Sequence, residues 1–338
     1  MPLTLIVTGM HRSGTSLTAS FLQAAGISLG DNLLGSDRFN VKGYFEDVDF
    51  LELQRGILQQ CCRYGKQGWA DWGWTETEDF DRDILSNYIP QALELIKNRN
   101  DKNLPWGWKD PRTSLLLDFW RELLPEAKYL LVYRFPWDVS DSVLRINHPN
   151  FVQNPDYAMK AWVFYNSHVL EFYRRYADRC LLFNINSFLE NPDRLVELLQ
   201  NKLGIKLTAW ENKTEFQKIY DKNLFTQLEW NHPAVLLLAK LAPQYLSLLA
   251  DLDKYADMPS SFAFPSEENT EFNSEKLVMQ LYYQVVATRL QLQELAQKQG
   301  EKENLQLRID SLESEIAAMK TSKIWKLHQK ISKFKSMI

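Results

Sequence analysis

The chain has 338 residues, 45% of them hydrophobic, and a formal net charge of −4, which suits one large domain with a sizeable core plus an appendage. Without an overall basic footprint, nucleic acid is not an expected partner. The three cysteines, Cys61, Cys62 and Cys180, have neither an even count nor a metal-like spacing, so a disulfide scaffold is excluded and a reducing compartment fits.

Residues 3–8 (LTLIVT) form a short, apolar, β-branched run that predicts a buried strand, and no basic leader precedes it. No uninterrupted apolar run approaches the ~18 to 20 residues of a membrane span, so the expectation is a cytoplasmic protein or one attached peripherally. The turn Gly9-Met10-His11-Arg12-Ser13-Gly14-Thr15-Ser16 comes next, followed by a helical pattern through Leu17, Phe21, Leu22 and Ala25. A turn between a strand and a helix offers backbone N–H groups and a helix dipole to an anion. The spacing of Gly9 and Gly14 matches a Walker A loop, yet Thr15 stands where its lysine belongs, which removes the main contact of a nucleotide triphosphatase to the β- and γ-phosphates. Arg12 supplies a fork of donors instead, with the hydroxyls of Ser13, Thr15 and Ser16 around it.

The segment Asn40-Val41-Lys42-Gly43-Tyr44-Phe45-Glu46-Asp47-Val48-Asp49 is rich in acids. Trp69, Trp72, Trp74, Trp106 and Trp108 follow, as aromatic faces for a sugar or as core. Gly107-Trp108-Lys109-Asp110-Pro111-Arg112 reads, on its own, as a pre-proline loop with a local Asp–Arg pair. Residues 128–133 and 180–185 read as further strands, each bordered by helical segments, and such alternation predicts a parallel sheet with helices on both faces. The run 128–133 ends in Arg134, where a triphosphatase would place an aspartate for Mg²⁺. An arginine there faces an anion instead. Pro136 opens a helix on which Asp138 and Ser142 are i, i+4 neighbours and Ser142 looks toward Arg134. None of His11, His148, His168, His232 and His328 stands in a metal-like pair, so no metal is expected. His11 remains a candidate to line the site.

These motifs resemble those of the sulfotransferases that use 3′-phosphoadenosine 5′-phosphosulfate (PAPS). Arg12-Ser13-Gly14-Thr15-Ser16 is similar to their 5′-phosphosulfate loop, and Arg134 with Ser142 eight positions on is similar to their 3′-phosphate motif. Lys109-Asp110-Pro111-Arg112 resembles a segment of bacterial and Golgi-type members, and Gly43-Tyr44-Phe45-Glu46 resembles a bacterial turn that carries the base. Residues 186–192 and the helix up to Leu203-Gly204-Ile205 resemble the family's stretch after the last core strand. The resemblance implies a three-layer P-loop-like α/β fold with a central parallel sheet. It implies PAPS as co-substrate, with Arg12, Ser13, Gly14, Thr15, Ser16, Arg134 and Ser142 binding it. Glu46 is then the base, with Asp47 and Asp49 as lesser candidates; Arg12 and Lys109 join it in catalysis, Lys109 meeting the sulfonate or leaving phosphate, while Arg112 meets the 3′ end or the acceptor. A glycan or glycoconjugate acceptor follows from family habit. The competing expectations are a P-loop kinase and a non-catalytic nucleotide-binding scaffold.

Beyond the resemblance, residues 258–266 read as a linker and residues 275–319 as a helix. Its stripes Leu281, Val285, Thr288, Leu292, Leu295 and Leu305, Ile309, Leu312, Ile316, Met319 are out of phase, which predicts two short coiled-coil pieces broken near Gly300 and a route to a homo-oligomer. Lys320, Lys323, Lys326, Lys330, Lys333 and Lys335, interleaved with apolar residues, form a basic strip suited to anionic lipid. The expected boundaries are a catalytic domain over 1–262, a linker over 263–274, a helical segment over 275–320 and a basic tail over 321–338.

Overall fold

The computed structural model describes residues 2–35, 43–63, 68–71, 73–207, 228–261 and 274–321. Asn40, Val41, Lys42, Trp72, the linker stretch 263–273 and the tail with Lys323, Lys326, His328, Lys330, Lys333 and Lys335 lie outside them. The chain divides into two units, 1–268 and 269–338.

In the first unit the described elements run β1 (Thr4–Thr8), α1 (Thr15–Ala24), α2 (Val48–Gln60), α3 (Arg82–Ser86), α4 (Ile89–Asn100), β2 (Trp106–Lys109), a 3-10 turn (Pro111–Leu115), α5 (Leu117–Leu123), β3 (Lys128–Tyr133), α6 (Pro136–Leu144), α7 (Pro149–Gln153), α8 (Tyr157–Tyr176), β4 (Cys180–Asn184), α9 (Ile185–Glu190), α10 (Pro192–Leu203), α11 (Pro233–Leu241) and α12 (Pro243–Tyr255). The four strands are parallel, in the order β2-β1-β3-β4. Apart from half-buried Lys128, every strand residue is buried, as a sheet covered on both faces requires.

Alternate residues serve opposite faces. Leu5, Val7, Leu130, Val132, Leu181 and Phe183 pack with Phe21 and Leu22 of α1 and with Leu195 and Leu199 of α10. Ile6, Leu131, Tyr133 and Leu182 pack with Phe50 and Ile57 of α2, Trp120 of α5 and Trp162 of α8. This produces the expected three layers. The chain leaves β1 for β2 on one side, while β3 and β4 build out on the other, so the switch in direction falls at the carboxyl ends of β1 and β3, where crevices of such folds form.

Two expectations are corrected. Residues 107–109, read as loop, belong to β2; the strand is only four residues long, and Trp106 and Trp108, two positions apart, both face the α2-side core. In the second unit the helix α13 (Ser274–Thr321) is continuous over 48 residues, with no break at Gly300. A single glycine among good helix formers costs only ~1 kcal/mol, too little to end a helix.

The segment after α12 also belongs to the first unit. Asp257 N donates to the Leu182 carbonyl at 2.8 Å and Asn184 N to the Met258 carbonyl at 2.9 Å, and Met258 is buried in the α1-side core. Among the described residues no single helix is long and apolar enough to cross a membrane; α11 and α12, bent by 97° at their junction, pass on length and composition only as a pair.

Candidate active site

The loop after β1 is shaped by two close approaches. At Gly9 (φ +151) a Cβ would lie 2.0 Å from the Val132 carbonyl oxygen, so the loop presses against β3. At Gly14 (φ +96) a Cβ would lie 2.4 Å from Ile185 Cγ1, and the left-handed backbone there suits glycine. Between them Arg12 also takes a left-handed backbone (φ 67), a conformation that costs a non-glycine residue on the order of 1–2 kcal/mol and aims its side chain across the sheet edge. No side chain caps α1, and the buried Ser13 Oγ has no hydrogen-bond partner among the described residues. A helix N-terminus with a buried, unmatched hydroxyl suits an anion.

Arg134 follows β3 directly, one strand over from Arg12. Its Nη1 donates to the Arg12 carbonyl at 3.3 Å, and Arg12 Nε donates to Ser142 Oγ at 2.8 Å. Pro136 occupies the first turn of α6, which brings Ser142 round to this point, and Trp162 Nε1 donates to the Arg134 carbonyl at 2.9 Å. Asp138, four residues on, has Oδ2 3.6 Å from Arg134 Nε and Oδ1 accepting from Leu228 N at 2.9 Å. Burial lowers the pKa of Arg134, with Asp138 opposing and Arg12 adding to the fall. Burial pushes Asp138 up to about 6 against the pull of Arg134. Two cations thus lie close together while the one partly compensating carboxylate pairs with Arg134, an arrangement that gains from an incoming anion.

Lys109 ends β2 with its side chain 2% exposed. Its Nζ donates to Glu46 Oε1 at 2.7 Å, the Tyr44 carbonyl at 2.8 Å and Ser16 Oγ at 3.1 Å, which ties the first turn of α1 to the acidic segment. Glu46 is buried, and its Oε2 has no partner among the described residues. Burial raises its pKa; Lys109 opposes, and Asp110 adds to the rise. The lesser base candidates are held elsewhere: Asp47 caps α2 by accepting from Asp49 N, and both take hydrogen bonds from Arg99 Nη2, at 2.6 Å and 2.9 Å. Of the three acids, Glu46 is the one that meets Lys109.

Arg112 forms the local pair with Asp110 rather than facing the sheet edge. Its guanidinium is buried and donates to Asp110 at 3.0 Å, Asp71 at 2.6 Å and the Ala70 carbonyl at 3.1 Å, so it braces the 3-10 turn. Asp110 is further held by Gln54 Nε2 at 2.7 Å, and Gln54 Oε1 accepts from Thr113 Oγ1 and Trp120 Nε1. This bracing was missed by sequence reasoning, although a glutamine within the buried stripe Phe50, Leu53, Ile57 of α2 was its available signal. His11 has its pKa held well below the usual value, first by burial and then by Arg112, Lys109 and Arg12; it meets Tyr165 edge-on at 6.0 Å. Trp74, Trp106 and Trp108 are core residues, with Trp108 stacked on Phe50 at 4.3 Å, and Trp69 is partly buried against Phe151 and Tyr157. Among the described residues no three His, Cys, Asp or Glu side chains are grouped to hold a metal ion.

No curated protein matches the chain significantly. Among solved structures it is similar to the sulfotransferase domain of the Synechococcus PCC 7002 olefin synthase, at 18% identity over 78% of this chain and 96% of that one, with a TM-score of 0.39. It is also similar to sulfotransferase STF1 from Mycobacterium tuberculosis H37Rv (15% identity, 71% of this chain and 76% of that one, TM-score 0.42) and to sulfotransferase STF9 from Mycobacterium avium (13%, 73% and 76%, TM-score 0.41). The sequence profile of the sulfotransferase family matches residues 2–209, a span that takes in all four strands, the loop at Gly9, Glu46, Lys109, Arg134 and Ser142. With more than half of its length under that profile, the chain belongs to the sulfotransferase family.

Proposed function

We propose that this sulfotransferase takes its sulfo group from PAPS and delivers it to a hydroxyl of a glycan or glycoconjugate. The observation that carries the reading is the meeting of Arg12 and Arg134 at one sheet edge, linked through Ser142 and the Arg12 carbonyl. These residues fit a nucleotide with phosphate at both 5′ and 3′ positions: the loop with Arg12, Ser13, Gly14, Thr15 and Ser16 suits the 5′ end, and Arg134 with Ser142 the 3′ end. The co-substrate supplies an activated sulfo group whose leaving group is adenosine 3′,5′-bisphosphate.

Glu46 is suited to hold the acceptor's proton. Its Oε2 lacks a partner among the described residues, and its raised pKa makes it a better base than an exposed carboxylate. Lys109, bonded to Ser16 at the start of α1, places an ammonium at the anion-binding end of the loop, where charge builds as the leaving group departs.

The test uses sulfur-labelled PAPS and a glycan panel. Wild-type protein is expected to transfer label; Glu46→Gln is expected to lose ~10²–10⁴-fold of the rate while still binding adenosine 3′,5′-bisphosphate with a chelator present. Arg134→Ala is expected to weaken that bisphosphate more than adenosine 5′-phosphate. Binding without transfer to any acceptor would favour a scaffold, and magnesium-dependent preference for ATP would favour a kinase.

A further inference from the structure

α13 runs as one helix of 48 residues, roughly 70 Å at 1.5 Å per residue, and it carries an apolar seam open to solvent. Val285, Leu292, Leu295, Leu305, Ile309 and Leu312 are 66%, 61%, 61%, 66%, 48% and 41% exposed. A lone helix gains nothing from such a stripe, whereas a partner helix buries it.

We infer that α13 pairs with α13 of a second copy of this chain as a parallel, in-register, two-stranded coiled coil. The residue types at the seam select the strand number. Ile309 occupies an a position between Leu305 and Leu312 at d; upstream, Val285 and Leu292 occupy a, with Thr288 and Leu295 at d. The β-branched residues Val285 and Ile309 at a, with Leu295, Leu305 and Leu312 at d, are the combination that favours two parallel strands.

Charge selects the register. Arg308 is at g and Glu313 at e of the following heptad, and in a parallel, in-register pair each g residue faces the e residue five positions on in the other chain. Arg308 then meets Glu313 of the second copy, and the pair occurs twice by symmetry. Five positions apart, the two residues do not face each other within one helix, and neither has an ion-pair partner among the described residues. The step from Leu295 to Leu305 is ten residues, three more than a heptad, which overwinds a coiled coil locally. Parallel, in-register pairing sets this phase change opposite itself, so both stripes seat at once.

The test is the mass of the full-length chain in solution by light scattering and sedimentation. The wild type is expected as a dimer, and Ile309→Lys as a monomer whose bisphosphate binding and thermal transition of the first unit are unchanged. Arg308→Glu, which sets like charges opposite each other, should weaken the dimer on the order of tenfold, and Arg308→Glu with Glu313→Arg should restore it. Leu312→Cys should form a disulfide-linked dimer on oxidation, because d residues of equal number lie opposite each other only in this arrangement. A monomeric wild type, a dimer indifferent to Ile309→Lys, a larger oligomer, or a dimer in which Leu312→Cys fails to cross-link would each overturn the inference.

Discussion

Glu46 divides its two oxygens: one receives the Lys109 ammonium and the other meets nothing among the described residues. Because its pKa is raised and the deprotonated form acts as base, transfer is expected to fall on acidification at a pH above the ordinary carboxylate range. Lys109 is the largest influence opposing that rise. Lys109→Met should therefore move the acid limb to still higher pH and, by leaving a buried carboxylate unpaired, cost about 3–5 kcal/mol of stability near neutrality. Part of that loss should return as pH falls and Glu46 takes up a proton; urea titrations across pH and the pH dependence of the rate check both. Asp138 also ties stability to pH. A carboxyl raised to about 6 in the fold binds more protons folded than unfolded between about pH 4 and 6, so stability falls as pH rises through that window. Asp138→Asn keeps an oxygen for Leu228 N and removes the titration. The stability difference between variant and wild type should shift in the variant's favour by up to ~3 kcal/mol from pH 4 to 7. At this scale Arg12, Lys109, Arg134 and Ser142 were legible because each sits in a short run whose neighbours fix its direction. For Arg112 the local pair with Asp110 was legible, but its second partner Asp71, which arrives from 41 residues away, was not.

Among elements, the junction of β1 and α1 depends on the space at Gly9. A methyl group there would meet backbone of β3, which cannot swing aside as a side chain can. Gly9→Ala should cost at least ~1–3 kcal/mol, read as a lower urea midpoint, and should abolish bisphosphate binding. For Gly14→Ala the nearest atoms belong to the Ile185 side chain, which can give way; the left-handed backbone still adds on the order of 1–2 kcal/mol, and this should be the milder change. The strands β1, β3 and β4 were legible as β-branched or leucine-rich runs, and Pro136 marked the start of α6. β2 escaped because Trp-Gly-Trp-Lys is only four residues long, carries no β-branched residue and runs straight into a proline turn. The continuity of α13 escaped for the opposite reason, since a glycine and a phase change together imitate a break that the helix formers around them bridge.

Across the whole chain, every residue assigned to the site precedes the division at 268, and the family profile ends at 209. A chain shortened to residues 1–268 is therefore expected to bind adenosine 3′,5′-bisphosphate with the full-length dissociation constant, measured by calorimetry; a large loss would place part of the site beyond that point. The order β2-β1-β3-β4, which sets Arg12 beside Arg134, has no local signal in the sequence and follows from packing. One contact of this fold bears on how the protein is made. The outer edge of β4 is covered by residues 257–258, some 75 positions further along the chain. During synthesis that edge stays bare, a row of unsatisfied amides and carbonyls open to neighbouring nascent chains, until the ribosome has released Met258. A polypeptide stalled or cleaved just short of that methionine should stick to its own kind even with all four strands complete.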